Sequence, residues 1–162
     1  MKDLIVFYSL EGNTEYVAEK IKSRTGADTL SLTPKKAYTS KGFMKFVWGG
    51  KSAMMAEKPE LNEYRIDLSE YDRIIFGFPV WASNYTPPLR TFIYENAEAL
   101  KNKRFVVFAC QSGRGAEKAI AKLADSLGGI EFEETAVFID PKDKPCEDTE
   151  KRIDAFCAVI SG

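Results

Sequence analysis

The sequence predicts an α/β fold: a three-layer, doubly wound sheet of five parallel strands in the order 2-1-3-4-5, with helices on both faces. Three observations predict it. Apolar runs without polar alternation stand at Leu4–Tyr8, Ile74–Phe78 and Phe105–Ala109, as expected of strands covered on both faces. Helix-period stripes lie between such runs, so strand and helix alternate along the chain. The length of 162 residues suits one domain spanning residues 1–162, with one sizeable core.

The elements follow in order. Leu4, Ile5, Val6, Phe7 and Tyr8 make the first strand, and Val17, Ala18 and Ile21 stripe a helix from Thr14 to about Arg24, ended by Thr25-Gly26-Ala27. Asp28 to Leu32 is a shorter second strand. In the long segment from Thr33 to Asp67, the residues Phe43, Phe46, Val47, Gly50 and Met54 fit a helical face, which Lys58-Pro59 closes. Gly49 and Gly50 weaken that helix by about 1 kcal/mol each relative to alanine.

Ile74 to Phe78 is the third strand. Thr86-Pro87-Pro88 then starts a helix, with threonine as its cap and proline in its first turn; Leu89, Phe92, Ile93, Ala97 and Leu100 form its stripe. Phe105 to Ala109 is the fourth strand. The turn CQSGRG opens a helix with Ala116, Ile120, Leu123, Ala124 and Leu127 inward. Ile130 to Ile139 reads as the fifth strand, and Ile153, Phe156, Cys157 and Ile160 stripe a last helix. The charged stretch from Asp140 to Arg152 reads as a solvated loop and helix start.

Composition narrows the function. The 23 Lys and Arg against 24 Asp and Glu leave a formal charge of −1, with no electrostatic case for nucleic acid or an acidic membrane surface. The chain has no histidine, so histidine is absent as general base, metal ligand or switch near neutral pH. Cys110, Cys146 and Cys157 are odd in number and lack zinc spacing, which fits reduced thiols in a cytoplasm and argues for no metal site. Leu4 to Phe7 is too short an apolar run for a signal peptide or a membrane span.

In a doubly wound sheet, ligands bind outside the carboxyl ends of the strands, near the switch in strand order. Three turns should converge there. The first, Ser9–Thr14, feeds a helix N-terminus, where unpaired N–H groups and the positive end of the macrodipole suit a phosphate. Gly12 permits close approach, while Ser9, Asn13 and Thr14 add short donors. Plain helix capping explains the same residues. The loop lacks both Gly-Lys-Ser/Thr and G-x-G-x-x-G, and with no lysine in it a monophosphate held by neutral dipoles fits best.

The second turn, Pro79–Thr86, carries Trp81 and Tyr85, which read equally as binding groups or as a plug over the sheet. The third, Cys110–Gly115, is not an arginine-dependent phosphatase loop. Arg114 stands four residues after Cys110, where that chemistry needs six. Cys110 ends a buried strand, and Gln111, Ser112 and Gly113 supply polar and backbone groups at the same edge.

The loop SLEGNT before a helix, and GFPVW after the third strand followed by PP and Leu-x-x-Phe-Ile, together resemble the flavodoxin-like family from Lys2 to about Leu127. The resemblance implies FMN as cofactor. It implies a phosphate held by Ser9, Leu10, Glu11, Gly12, Asn13 and Thr14. It places the flavin ring between Pro79, Val80, Trp81, Ala82, Asn84 and Tyr85 on one side and Cys110, Gln111, Ser112, Gly113 and Arg114 on the other. Backbone N–H groups near Gly113 and Trp81 would then bond the ring edge, with no protein nucleophile.

Three residues or features depart from the family pattern. Glu11 replaces the usual threonine or serine, so it should point to solvent and offer only its N–H. CQSGRG lacks a stacking aromatic, which leaves one ring face open or covered by Trp48, Phe46 or the second subunit of a homodimer. The charge of −1 gives little of the acidic steering of carrier flavodoxins.

Two functions are implied. One is an electron carrier serving a redox partner protein. The other is an NAD(P)H-dependent quinone or flavin reductase with a small-molecule acceptor. A receiver-type signalling domain would need acids at Tyr8-Ser9 and a phosphoacceptor aspartate at Phe78-Pro79, and has neither.

Overall fold

Strand β1 (Asp3–Phe7) pairs in parallel with β2 (Asp28–Ser31) on one side and β3 (Arg73–Pro79) on the other, and β4 (Arg104–Gln111) and β5 (Thr135–Ile139) continue the sheet beyond β3. The order is therefore 2-1-3-4-5, as predicted. This computed structural model describes residues 1–38 and 57–162. The helix expected around Phe43 to Met54, and with it Phe46 and Trp48, lies outside the described residues.

Period-two alternation sorts the strand residues onto two faces. Leu4, Val6, Ile74, Phe76, Phe78, Val107 and Ala109 point one way. They pack against Leu89 and Phe92 of helix α2 (Pro87–Glu95), Leu100 of the short α3 (Ala97–Leu100), and Ala119 and Leu123 of α4 (Ala116–Ser126). Ile5, Phe7, Ile75, Val106, Phe108 and Phe138 point the other way, against Val17 and Ile21 of α1 (Asn13–Thr25) and Ile153, Phe156 and Ile160 of α5 (Glu147–Ser161). Both faces are thus covered, which is why the strands read as unbroken apolar runs. Gly77 belongs to this packing: a Cβ there would lie 2.2 Å from the ring of Phe108, its partner across the β3–β4 ladder.

Two expectations shift. Strand β5 begins at Thr135, not Ile130. Its neighbour β4 starts at Arg104, and the ladder pairs Val107 with Thr135, so residues before Phe132 lie beyond the start of β4. Thr86 is the N-cap of α2, yet its hydroxyl makes no capping bond and is buried without a partner among the described residues. Pro87 and Pro88 carry no N–H, and the next one, of Leu89, already donates to the Thr86 carbonyl at 3.1 Å.

Charged groups close the amino ends of the strands. The buried guanidinium of Arg73 donates to Asp3 at 2.6 and 3.1 Å and to Glu133 at 3.4 Å, and also bonds the carbonyl of Ile160. Helices α1 and α5 are tied by Glu150, which accepts from Lys20 at 3.0 Å, from the Tyr16 hydroxyl at 2.8 Å and from Arg24 at 2.9 Å. The Lys20 and Tyr16 bonds, with Arg24 adding to them against a smaller burial effect, hold the Glu150 carboxyl down at about 2. No helix among the described residues is long and apolar enough to cross a membrane.

Candidate functional site

At the carboxyl edge of the sheet, the turns after β1, β3 and β4 enclose a cleft of about 460 Å³, counting the open solvent at its mouth. Ser9, Leu10, Glu11, Asn13 and Thr14 line it from the first turn, Pro79, Val80 and Trp81 from the second, and Cys110, Gln111 and Ser112 from the third. The edge rule and the three turn signals brought these residues together in advance. Asp140, at the end of β5, completes the lining and was not anticipated.

The first turn combines a left-handed glycine with backbone donors left unpaired. Gly12 sits in left-handed backbone (φ 98) as the N-cap of α1, and the Ser9 hydroxyl accepts from the N–H of Glu15 at 3.2 Å. The N–H groups of Asn13 and Thr14, the first two of the helix, take no acceptor among the described residues. The Thr14 hydroxyl is buried in the cleft wall and lacks a hydrogen-bond partner of regular geometry. The Cys110 thiol feels it: burial pushes that thiol up to about 12, Thr14 works against the rise and the Asp140 carboxylate adds to it. Cys110 is accordingly a small buried group rather than a nucleophile. Glu11 is exposed at the rim, as its charge predicts.

The Asn13 side chain has a further part that the sequence does not suggest. Its side-chain oxygen accepts from the N–H groups of Lys142 (2.8 Å) and Asp143 (3.3 Å), and its Nδ2 donates to the Asp143 carboxylate at 2.9 Å. The loop after β5 is thereby pinned to the first turn. The pinning lays the Lys142 side chain across Gly12, with its Nζ 2.6 Å from where a Cβ of that glycine would stand. Lys142 is not among the cleft-lining residues; with Gly12, Glu15 and Glu19 it lines a separate surface groove.

In the second turn, Trp81 and Asn84 exchange backbone hydrogen bonds of 3.1 and 2.9 Å around Ala82 and Ser83, both at positive φ (49 and 57). This is the twist of a type I′ turn without its usual glycine. Trp81 is 1% exposed, walled in by edge-on contacts to Tyr8 at 5.7 Å and Tyr38 at 5.3 Å. Tyr85 does not line the cleft. It is fully buried on the α2/α4 side, edge-on to Phe78, with its hydroxyl 2.5 Å from that of Ser126. Asn84 is also buried below the turn, where its side chain accepts from the N–H of Tyr85 at 2.9 Å, and Ala82 is exposed outside the lining.

In the third turn, the Gln111 side chain accepts from the first N–H of α4, that of Ala116, at 3.1 Å. Ser112, Gly113 and Arg114 are exposed, the last two and Gly12 outside the cleft lining. Two signals could have found Asp140 and Lys142. The fifth strand ends at the same edge as the others, and its loop opens with an acid and a proline rather than with featureless charge.

The described structure superposes on solved flavoproteins along nearly all of its length. A candidate flavoprotein of Bacteroides eggerthii matches with a TM-score of 0.78 and 25% identity, over 99% of this chain and 98% of that one. A flavoprotein of Lactobacillus acidophilus, crystallised in complex with FMN, matches with a TM-score of 0.67 and 23% identity, over 96% and 97%. The flavodoxin of Megasphaera elsdenii gives 0.58 and 18%, over 96% and 98%. No curated protein matches the sequence. The flavodoxin family pattern matches residues 2–148, most of the chain, and with the five-stranded order and the cleft at the sheet edge it identifies the chain as a member of the flavodoxin family.

Proposed function

We propose that this chain binds FMN in the cleft and serves as an electron carrier for a redox partner protein. The observation that carries the reading is the Thr14 hydroxyl: buried beside the Cys110 thiol, without a hydrogen-bond partner of regular geometry among the described residues, and set in the first turn of α1 where a phosphate is favoured. An orphaned buried hydroxyl costs on the order of 1–3 kcal/mol, which a phosphate oxygen would recover. Family membership and the FMN held by the Lactobacillus acidophilus flavoprotein support the same ligand.

FMN, when bound, supplies the redox chemistry, and the protein supplies binding, orientation and electrostatics. In this reading Ser9 to Thr14 hold the phosphate. Pro79, Val80 and Trp81 would flank the ring from one turn and Gln111 and Ser112 from another, with the exposed Gly113 offering its backbone N–H. Trp81, fixed by Tyr8 and Tyr38, keeps one wall rigid and apolar, an environment that disfavours added negative charge on a reduced ring.

One observation favours a second reading, an NAD(P)H-dependent quinone or flavin reductase. The third turn is exposed and non-aromatic from Ser112 to Arg114, which gives a small substrate access. An absorbance spectrum of the purified chain, loaded with FMN and mixed anaerobically with NADH or NADPH, separates the two. Rapid bleaching supports the reductase; no bleaching, with two separated one-electron steps on dithionite titration, supports the carrier. No FMN binding overturns both. Thr14→Ala should raise the Kd for FMN about tenfold and leave riboflavin, which lacks the phosphate, unaffected.

A further inference from the structure

Thr14 and Cys110 share the cleft wall, where the first turn of α1 lies against the end of β4. The threonine is 1% exposed and the cysteine 4%. A helical threonine commonly turns its hydroxyl back on a carbonyl one turn earlier. Thr25, at the other end of the same helix, does so and bonds the Ile21 carbonyl at 2.8 Å. The Thr14 hydroxyl has no such bond among the described residues.

The group beside that hydroxyl is the Cys110 thiol, a free cysteine. A thiol is a weak donor and a weak acceptor, and buried it behaves as a small hydrophobe. A serine in its place would offer a strong partner, and the two hydroxyls would satisfy each other inside the protein. The sheet fixes where the side chain stands: Cys110 pairs with Pro79 and Phe138 on the neighbouring strands, and its carbonyl accepts from the Val80 N–H at 2.8 Å. We propose that Cys110 is a positioning residue for phosphate recognition. Its sulfur closes the wall beside Thr14 without capturing the hydroxyl, which stays free to donate to the ligand's phosphate. The preference for a phosphorylated flavin is then set in part by a residue that need not touch the phosphate; the proposal rests on the FMN reading above.

The test uses the full chain and two probes, FMN and riboflavin. Affinities are read by flavin fluorescence, and a thermal melt checks folding. Cys110→Ser, which can capture the Thr14 hydroxyl, should bind FMN about fivefold more weakly than Cys110→Ala, which cannot, and the two variants should bind riboflavin alike. In a Thr14→Ala background that difference between serine and alanine should vanish. If the serine variant does not fold, infrared spectra of the wild type and Thr14→Ala serve instead. The S–H band of Cys110 should hold its frequency between them; a rise on loss of Thr14 would show a thiol bonded to the hydroxyl and overturn the proposal. Equal FMN affinities of the serine and alanine variants, or a serine loss shared by riboflavin, overturn it while the FMN reading stands. A wild-type chain that binds neither probe overturns the FMN reading and this proposal with it.

Discussion

Asn13 and Asp143, 130 positions apart in sequence, hold each other at 2.9 Å. The same asparagine accepts from two backbone N–H groups of that loop, so one side chain joins the turn after β1 to the turn after β5. Asn13→Ala removes all three bonds, two of them short. The expected cost is about 1–2 kcal/mol. The sharper readout is local: trypsin should cut after Lys142 faster in the variant than in the wild type, while cleavage elsewhere is unchanged. Equal cutting rates would show that the loop is held by other contacts.

Lys142 gives the second prediction. Its ammonium lies over Gly12 and makes no ion pair among the described residues. If the first turn holds a phosphate, this exposed charge adds a modest attraction. Lys142→Met should then raise the Kd for FMN by up to about fivefold. Riboflavin affinity should not move, and the salt dependence of FMN binding should weaken. Equal losses for FMN and riboflavin would assign the lysine to loop structure instead.

Gly77 gives a prediction about the core alone. Its missing Cβ makes room for the ring of Phe108, which is wholly buried on the neighbouring strand. Gly77→Ala should destabilise the fold by at least about 1–3 kcal/mol, the usual cost of overpacking, seen as a lower midpoint in urea. Adding Phe108→Leu should recover part of that loss, since the two positions share one contact. Strictly additive losses would rule the clash out.

Glu150 gives the pH dependence. Its folded value of about 2 lies below its ordinary value of 4.5 because Lys20 and Tyr16 bond the carboxylate, with Arg24 assisting against burial. Its contribution is therefore fully present above about pH 4.5 and is lost as pH falls toward 2. The side chain is a third exposed, so the contribution is small, roughly 1 kcal/mol after screening. Glu150→Gln should lower Tm by about 2–4 °C at pH 7, and the gap should narrow between pH 5 and pH 3. A gap that widens there would contradict the assignment.

Much of this was legible in the sequence because it depended on local pattern. Leu4 to Phe7 and Ile74 to Phe78 could be read as doubly covered strands, and alternation with helices then constrained the topology. The turns at Ser9, Pro79 and Cys110 could be placed together because parallel strands share one carboxyl edge. What was not legible depended on contacts between distant residues. Asn13 read as a ligand donor, and only the fold shows its amide turned to Lys142 and Asp143. Tyr85 read equally as a binding group or as a plug over the sheet, because it stands in a loop; the fold settles on burial, against Phe78 and beside Ser126, which is 41 positions away. Asp140 was hidden in a charged run whose composition suits a solvated loop, while its left-handed backbone turns it inward.

The clasp of Arg73 with Asp3 and Glu133 stands at the start of β3, and the cleft residue Pro79 stands at the end of the same strand. Seven residues of extended chain, roughly 20 Å, separate the two, and they share no partner. Changes at the two ends should therefore add without coupling. The turns can drift toward new ligands or partners while the far edge keeps the scaffold folded, so this architecture is evolvable at one end and conservative at the other.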